Sequence, residues 1–319
     1  MKIYKHNELV DTTEEDVKNL FKNNELTNNC KEEYNYFNLG SYYQNIENKY
    51  DKMKEYYLMA IKLNNSSAMY NLAYYYKNIE KDYNKMKENY LMAIELNNSS
   101  AMNNLGFYYQ KIEKDYDKMK EYYLMAIKLN NSYAMYNLGL YYKNIEKDYN
   151  KMKEYYLMAI ELGDSDAMYN LGYYYQHIEK DYKKTKEYYL MAIKLYDSDA
   201  MYNLGLYYEN IEKDYEKSKE YYLMAIKLGH TDATNNIKNI TTPLERYILY
   251  EKNNIKFNEE INKDIMIYQN KLINYKKIED CGICLENNKE CIPVSWCSHK
   301  ICTTCYIKLY NKPCPFCRL

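Results

Sequence analysis

Long apolar runs are missing from this 319-residue chain: no stretch of about 18 apolar residues is available to cross a bilayer, and no segment resembles a signal peptide. This predicts a cytoplasmic protein without a membrane partner. A dominant charge is missing too. Forty-four Lys and Arg stand against 45 Asp and Glu, a net charge of -1, which argues against nonspecific nucleic-acid binding. Histidine is scarce, at four residues, and His6 and His230 have no ligand-type neighbours; His177 alternates with Asn and Lys at its repeat position and reads as surface. Cysteine is nearly absent upstream of residue 281, where only Cys30 is found.

The segment 281–319 reverses that scarcity. Seven cysteines and one histidine stand there in four close pairs: Cys281/Cys284, Cys297/His299, Cys302/Cys305 and Cys314/Cys317. A Cys-x2-Cys knuckle turns two thiolates toward one point, and four such ligands complete a tetrahedral zinc, so two zinc ions are expected. With every position filled by protein, the sites are structural rather than hydrolytic. A segment this short cannot bury enough apolar surface to fold alone. Zinc must supply folding free energy of order 10 kcal/mol per site. Reduced thiols fit an intracellular compartment. Cys30 and Cys291 fall outside the pairs and read as small apolar fillers or free thiols.

The ligand order, three cysteines, a histidine, then four cysteines, with one residue between Cys297 and His299, resembles the RING finger family. A PHD finger would place its histidine after two Cys-x2-Cys pairs, and a LIM domain is spaced differently. The resemblance covers 281–319 and implies cross-braced pairing, with Cys281, Cys284, Cys302 and Cys305 on one zinc and Cys297, His299, Cys314 and Cys317 on the other. It also implies an E3 ubiquitin ligase, whose RING holds a ubiquitin-charged conjugating enzyme beside a protein substrate. Such a domain has no nucleophile and acts by restricting the thioester-linked ubiquitin to a reactive pose. Active members carry contact residues at four places, filled here by Ile283, Leu309, Pro315 and Arg318, the last able to bridge carbonyls through its planar guanidinium. The plainer alternative makes Ile283 a packing residue, Pro315 a turn former and Arg318 a solvated charge, which leaves a non-catalytic adaptor. Trp296 reads as packing. Five basic residues against two acidic ones in 281–319 suit a docking surface better than a phosphate track.

Upstream, the phrase Ala-Met-Tyr-Asn-Leu-Gly returns at a constant interval with small changes, starting at Ala68, Ala101, Ala134, Ala167, Ala200 and Ala233; a diverged unit begins at Asn35. An interval of this length means a solenoid. Apolar spacing within a unit is helical, as in Leu72, Tyr75, Tyr76 and Ile79, then Met86, Tyr90, Ala93 and Ile94. That predicts two helices per unit with a turn near Lys81–Asp82. The ankyrin signature Thr-Pro-Leu-His is absent. The Asn-Leu-Gly and Asp-Tyr-x-Lys phrases resemble tetratricopeptide repeats of the Sel-1-like subclass. Gly106, Gly139, Gly172 and Gly205 weaken a helix interior and so predict a close neighbour; Ala73 fills that slot in another repeat.

An asparagine ladder runs through the repeats at Asn71, Asn104, Asn137, Asn170 and Asn203, with Asn38 ahead of it. One turn on stand Tyr75, Tyr108, Tyr141, Tyr174 and Tyr207, and two turns on Asn78, Lys111, Asn144, His177 and Asn210. Carboxamides offering a donor and an acceptor per step suit an extended peptide, which makes this row a candidate substrate groove. The competing reading is that Asn ties neighbouring helices together and Tyr is core with its hydroxyl at the rim. Abundant Tyr, Asn, Lys and Ile also fit codon bias in an AT-rich genome. A large DNA virus or a protist would have one; for a virus the compartment becomes the host-cell cytoplasm.

The expected fold is mostly α, an α-solenoid of TPR/Sel-1-like helix pairs followed by a helical linker and a small two-zinc cross-brace RING. Expected boundaries are an N-terminal helical cap at 1–32, repeats at 33–240, linker at 241–279 and zinc finger at 280–319. The cap rests on Thr12 or Thr13 before Glu15 and Asp16, with Val17, Leu20 and Phe21 as its stripe. From Thr242-Pro243 the repeat reads as lost. In the linker, Ile261, Ile265, Tyr268, Leu272 and Tyr275 form a two-heptad seam over 258–279, which either covers the solenoid end or makes a homodimer. Expected partners are a ubiquitin-conjugating enzyme, ubiquitin and a protein substrate.

Overall fold

A computed structural model describes the backbone of residues 2–5, 8–11, 32–255, 291–293 and 300–302. Two units divide the chain, Met1–Ala167 and Met168–Leu319. The first opens with an antiparallel hairpin, β1 (Lys2–Lys5) and β2 (Glu8–Asp11), in register Lys5↔Glu8. The sequence suggests only helix within 1–32; here Lys2–Lys5 and Glu8–Asp11 pair as strands, with Ile3↔Val10 and Tyr4↔Leu9 in register. The expected helix around Thr12–Phe21 lies outside the described residues.

Helix pairs follow: α1 (Glu32–Asn45) with α2 (Tyr50–Lys62), α3 (Ser66–Tyr75) with α4 (Tyr83–Glu95), α5 (Ser99–Tyr108) with α6 (Tyr116–Lys128), and α7 (Ser132–Tyr141) with α8 (Tyr149–Glu161). After α9 (Ser165–Tyr174), the second unit holds α10 (Tyr182–Ile193), α11 (Ser198–Tyr207), α12 (Tyr215–Lys227), α13 (Thr231–Asn239) and α14 (Pro243–Lys252). A short hairpin, β3 (Cys291–Pro293) with β4 (Lys300–Cys302), is described further on.

Side chains in the repeat phrase set the helix ends. Asp82, Asp115, Asp181 and Asp214 each accept from the amide three residues on, at 3.0–3.1 Å, and so cap the second helix of a pair. Asn65, Asn98, Asn131 and Asp197 do the same for first helices. His230 also caps one, its Nδ1 accepting from the Ala233 amide at 3.2 Å while Nε2 lies 3.2 Å from Asp199, a role its sequence context did not reveal. The turn expected near Lys81–Asp82 is there, with Lys81 left-handed at φ 58°. What the periodicity missed is how first helices finish. From α3 to α11 each runs into a π turn, Tyr76–Glu80 in the first case and Tyr208–Glu212 in the last, before the left-handed lysine.

Packing inside a pair centres on one tyrosine of the second helix. Tyr57, Tyr90, Tyr123, Tyr156, Tyr189 and Tyr222 are all fully buried. The glycine of the first helix faces that ring: a methyl at Gly106 would sit 2.8 Å from Tyr123, and one at Gly205 2.6 Å from Tyr222. This is the close approach that the helix glycines predicted. Ala73 takes the slot opposite Tyr90 and is itself buried. Leu72, Leu105, Leu138, Leu171 and Leu204 complete the core, each fully buried leucine adding about 1.5–3 kcal/mol of burial free energy.

The regular spacing also runs past its expected end. Glu245 stands one repeat length after Glu212 and, like it, accepts from a lysine of the preceding second helix: Lys219 at 2.5 Å, as Lys186 does for Glu212 at 2.7 Å. The α14 helix buries Ile248 and Tyr250, the latter in the same core as Tyr222 and Ile237. A helix that packs on the last repeat therefore lies within the span expected as helical linker, ahead of the helix expected at 258–279. The seam at Ile261, Ile265, Tyr268, Leu272 and Tyr275, and with it the homodimer over 258–279, lies outside the described residues.

Candidate protein-binding site

The asparagine ladder and its tyrosines separate into two classes once the helices are packed. Tyr75, Tyr108, Tyr141, Tyr174 and Tyr207 are only 2–5% exposed. They are wall, not groove. Their hydroxyls point to the rim, where Tyr141 donates to Glu146 at 2.7 Å, Tyr174 to Glu179 at 2.9 Å and Tyr207 to Glu212 at 2.9 Å. Burial pushes the Tyr108 phenol up to about 12, so it stays protonated and serves as a donor. This corrects the expectation that these rings meet a ligand; the apolar body is needed inside.

The asparagines stay half-buried on the first-helix face but spend their amide donors on neighbours. Asn71 donates to Tyr57 Oη at 3.1 Å, Asn104 to Tyr70 Oη at 3.0 Å and Tyr90 Oη at 3.2 Å, and Asn137 to Asn103 Oδ1 at 2.9 Å. In the second unit Asn203 donates to Tyr169 Oη at 3.3 Å, and Asn170 is likewise engaged. Several of these bonds run from one repeat back to its predecessor, as from Asn104 to Tyr70 and from Asn203 to Tyr169. Asn is thus a tie between helices, as the competing reading had it.

Other residues, on positions that vary, line the open part of that face. Tyr70, Asn103, Tyr136, Tyr169 and Tyr202 precede the asparagines and are half-buried. One turn on come Tyr74, Phe107, Leu140, Tyr173 and Leu206, with Tyr74 47% and Tyr173 38% exposed. Lys111 and His177 lie against the Phe107 and Tyr173 rings, but the third position of this stripe, counted from Tyr70 and Tyr74 at ordinary helical spacing, is the residue before Asn78, Lys111, Asn144, His177 and Asn210. There Gln110 and Gln176 accept from the core tyrosines Tyr123 at 3.0 Å and Tyr189 at 2.9 Å, and Glu209 accepts from Tyr222 at 2.5 Å. Where that position is lysine the acceptor is lost. Tyr156 Oη, opposite Lys143, has no hydrogen-bond partner among the described residues.

Those lysines give the first unit its charge. Burial holds the Lys77 and Lys143 ammonium groups below the ordinary lysine range. Lys77 Nζ lies 5.2 Å and Lys111 Nζ 5.7 Å from the centroid of Phe107, two cations on one ring. The second unit carries Glu209, Asp199 and Asp232 on the matching helices instead. The sequence signal for this face was available: across repeats, structural positions are constant and the open ones differ.

Of the eight expected zinc ligands, only Cys302 falls on described backbone, in β4. Cys281, Cys284, Cys297, His299, Cys305, Cys314 and Cys317 lie outside the described residues, as do Ile283, Leu309, Pro315 and Arg318. Among the described residues no cluster of His, Cys, Asp or Glu is built to hold a metal, and no helix is long and apolar enough to cross a membrane.

The model of the Sel1 repeat matches residues 66–98, 99–131, 132–164, 165–197 and 198–230, together more than half of the chain. The chain belongs to the Sel1 repeat family. A Sel1 repeat protein from Oxalobacter formigenes is 23% identical, with a TM-score of 0.53 over 67% of this chain and 99% of that one. The protective antigen c5321 of uropathogenic Escherichia coli, which has the same type of repeat fold, is 22% identical with a TM-score of 0.54, over 78% of this chain and 54% of the antigen. Both likenesses concern the fold. No curated protein matches the sequence significantly. The Sel1 repeat assignment agrees with the repeat subclass read from the Asn-Leu-Gly phrase, and the mostly helical solenoid is as expected.

Proposed function

We propose that this chain is a scaffold whose Sel1 repeats hold another protein on the first-helix face. The observation that carries the reading is variation on a fixed frame: constant Asn, Tyr and Gly positions build the helix pairs, while Tyr74, Phe107, Leu140, Tyr173 and Leu206 differ on the open part of the first-helix face. Half-buried Lys77 in the first unit suits a carboxylate on the partner, since a desolvated ammonium gains most from an opposite charge. A photo-crosslinking residue at 107 should trap a discrete protein in cells, and Lys77→Ala should reduce the yield. Equal trapping at the outward-facing position 124 would dispose of the reading.

A finer reading makes the scaffold an E3 ubiquitin ligase, and what supports it is the spacing of the eight ligands in 281–317. The donor set of seven thiols and one imidazole suits zinc. The antiparallel pairing Cys291↔Cys302 adds support, because it brackets the Cys297-x-His299 pair in sequence and brings the flanking backbone together. In this reading zinc folds the tail, Ile283, Leu309 and Pro315 meet the conjugating enzyme, and Arg318 steadies its bound ubiquitin. Purified full-length chain should carry two zinc ions and form polyubiquitin with at least one conjugating enzyme of a panel. Ile283→Ala and Arg318→Ala should abolish product with zinc retained. Absence of product from wild type with every enzyme leaves the adaptor alone.

A further inference from the structure

At the end of the repeats the regular spacing holds in one respect and fails in another. Glu245 and Lys219 reproduce the Glu212–Lys186 pair. The residue one repeat length after Tyr207, however, is Ile240. Elsewhere the tyrosine in this place does two things. Its ring lies against the tyrosine that opens a second helix, with centroids 5.2 Å apart for Tyr50 and Tyr75, 5.5 Å for Tyr83 and Tyr108, and 5.7 Å for Tyr182 and Tyr207. Its hydroxyl donates to the glutamate of the lysine pair, as Tyr207 does to Glu212.

Ile240 can do neither. Tyr215 opens α12 in the same way, but it has no aromatic neighbour among the described residues and is 48% exposed. Thr241 and Thr242 end the first helix early, and no π turn fills the space. What results is a wide-mouthed surface cavity of about 570 Å³, open to solvent and lined by Tyr215, Ile240, Thr241, Glu209 and Glu245 among others. That volume is within the range of about 300–1,000 Å³ found for small-ligand pockets. The cavity keeps both groups that a tyrosine uses in the regular repeats, an aromatic face and a carboxylate already steadied by lysine.

We propose that this cavity is a binding site for a tyrosine side chain presented by a peptide segment of a partner protein. The incoming ring lies on Tyr215 and its phenol donates to Glu245, repeating between two chains what the repeats do within one. Phenylalanine supplies the ring without the donor and binds less well. The site shares Glu209 with the end of the first-helix face, but its two proposed ligand contacts, Tyr215 and Glu245, are not on that face, and it is tested independently of what that face binds.

The test uses the full chain with labelled isoleucine methyls and two probes, N-acetyltyrosinamide and N-acetylphenylalaninamide. The Ile240 methyl signal should move saturably with the tyrosine amide, and the phenylalanine amide should bind about tenfold more weakly. Glu245→Gln should narrow that preference, and Tyr215→Ala should weaken both probes. Ile240→Tyr fills the cavity from inside; it should block both probes and raise the melting temperature, which shows that the variant folds. The proposal is overturned if neither amide moves Ile240, or if both bind equally. It is also overturned if the signal moves with protein concentration alone, which would make a second copy the occupant.

Discussion

The Met1–Ala167 and Met168–Leu319 units are written in the same repeated phrase yet differ at slots where a single residue decides packing. The core position one turn ahead of the buried tyrosine is Met53, Met86, Met119 and Met152 in the first unit but Thr185 and Ser218 in the second, and all six are fully buried. Thr185 resolves its hydroxyl by donating to the Asp181 carbonyl at 3.0 Å. The left-handed residue after the second helix is Asn64, Asn97, Asn130 or Gly163 in one unit, Tyr196 or Gly229 in the other. A tyrosine at φ 61° and 76% exposed carries a conformational penalty with no packing to offset it. The first unit therefore follows the local rules more closely, and its pairs should be the more stable.

The largest test of that difference is a swap. Met119→Thr should destabilise the first unit by about 2–3 kcal/mol, through lost apolar contacts and a buried hydroxyl, and Ser218→Met should stabilise the second by about 1 kcal/mol. Denaturant unfolding followed by a probe in each unit reads both. A loss for Met119→Thr no larger than that of an ordinary surface substitution, about 0.5 kcal/mol, would mean that the slot is not a shared core position. Next in size, Tyr196→Gly should raise the stability of the second unit by about 0.5–1 kcal/mol, with Asn130→Tyr lowering that of the first by a similar amount. An unchanged midpoint for both would show that the left-handed slot does not separate the units.

The smallest effect concerns what the units share. Hydrogen bonds from Lys87 and Lys186 hold the Glu113 and Glu212 carboxyls below their ordinary value of 4.5. A depressed carboxyl stabilises above its unfolded pKa, and the contribution disappears as pH falls through the lower folded value. Both units should lose stability together below about pH 4.5, and only a few tenths of a kcal/mol per pair because the groups are substantially solvated. Glu113→Gln should flatten the acid limb of the first unit alone. A flattening in both would mean that the limb reports something other than these bridges.

Much of this was legible in the residues. The period, the two helices per repeat, the turn at Lys81–Asp82 and the close approach at Gly106 all follow from spacing, because each rests on a local rule. The face was only partly legible. Tyr70, Tyr74, Tyr75 and Tyr76 are close enough in sequence that a helical stripe can be drawn through several of them, and propensity does not choose between buried and open. The third position falls on Lys77 or on Asn78 according to whether the stripe starts at Tyr70 or at Asn71. The hairpin at Lys2–Asp11 was missed because its strands are four residues each, too short to outweigh the helix signal that follows.

The amino-acid order by itself fixed the repeat length, the two helices per repeat and the turn between them, since these depend on neighbours within a few residues or on a regular count. Tertiary structure alone decided which tyrosines are wall and which are surface, that asparagine joins one repeat to the one before it, and that Ile240 leaves a cavity beside Tyr215. Those outcomes depend on which helix lies opposite, and the exposure of a side chain belongs to the pair of surfaces that meet.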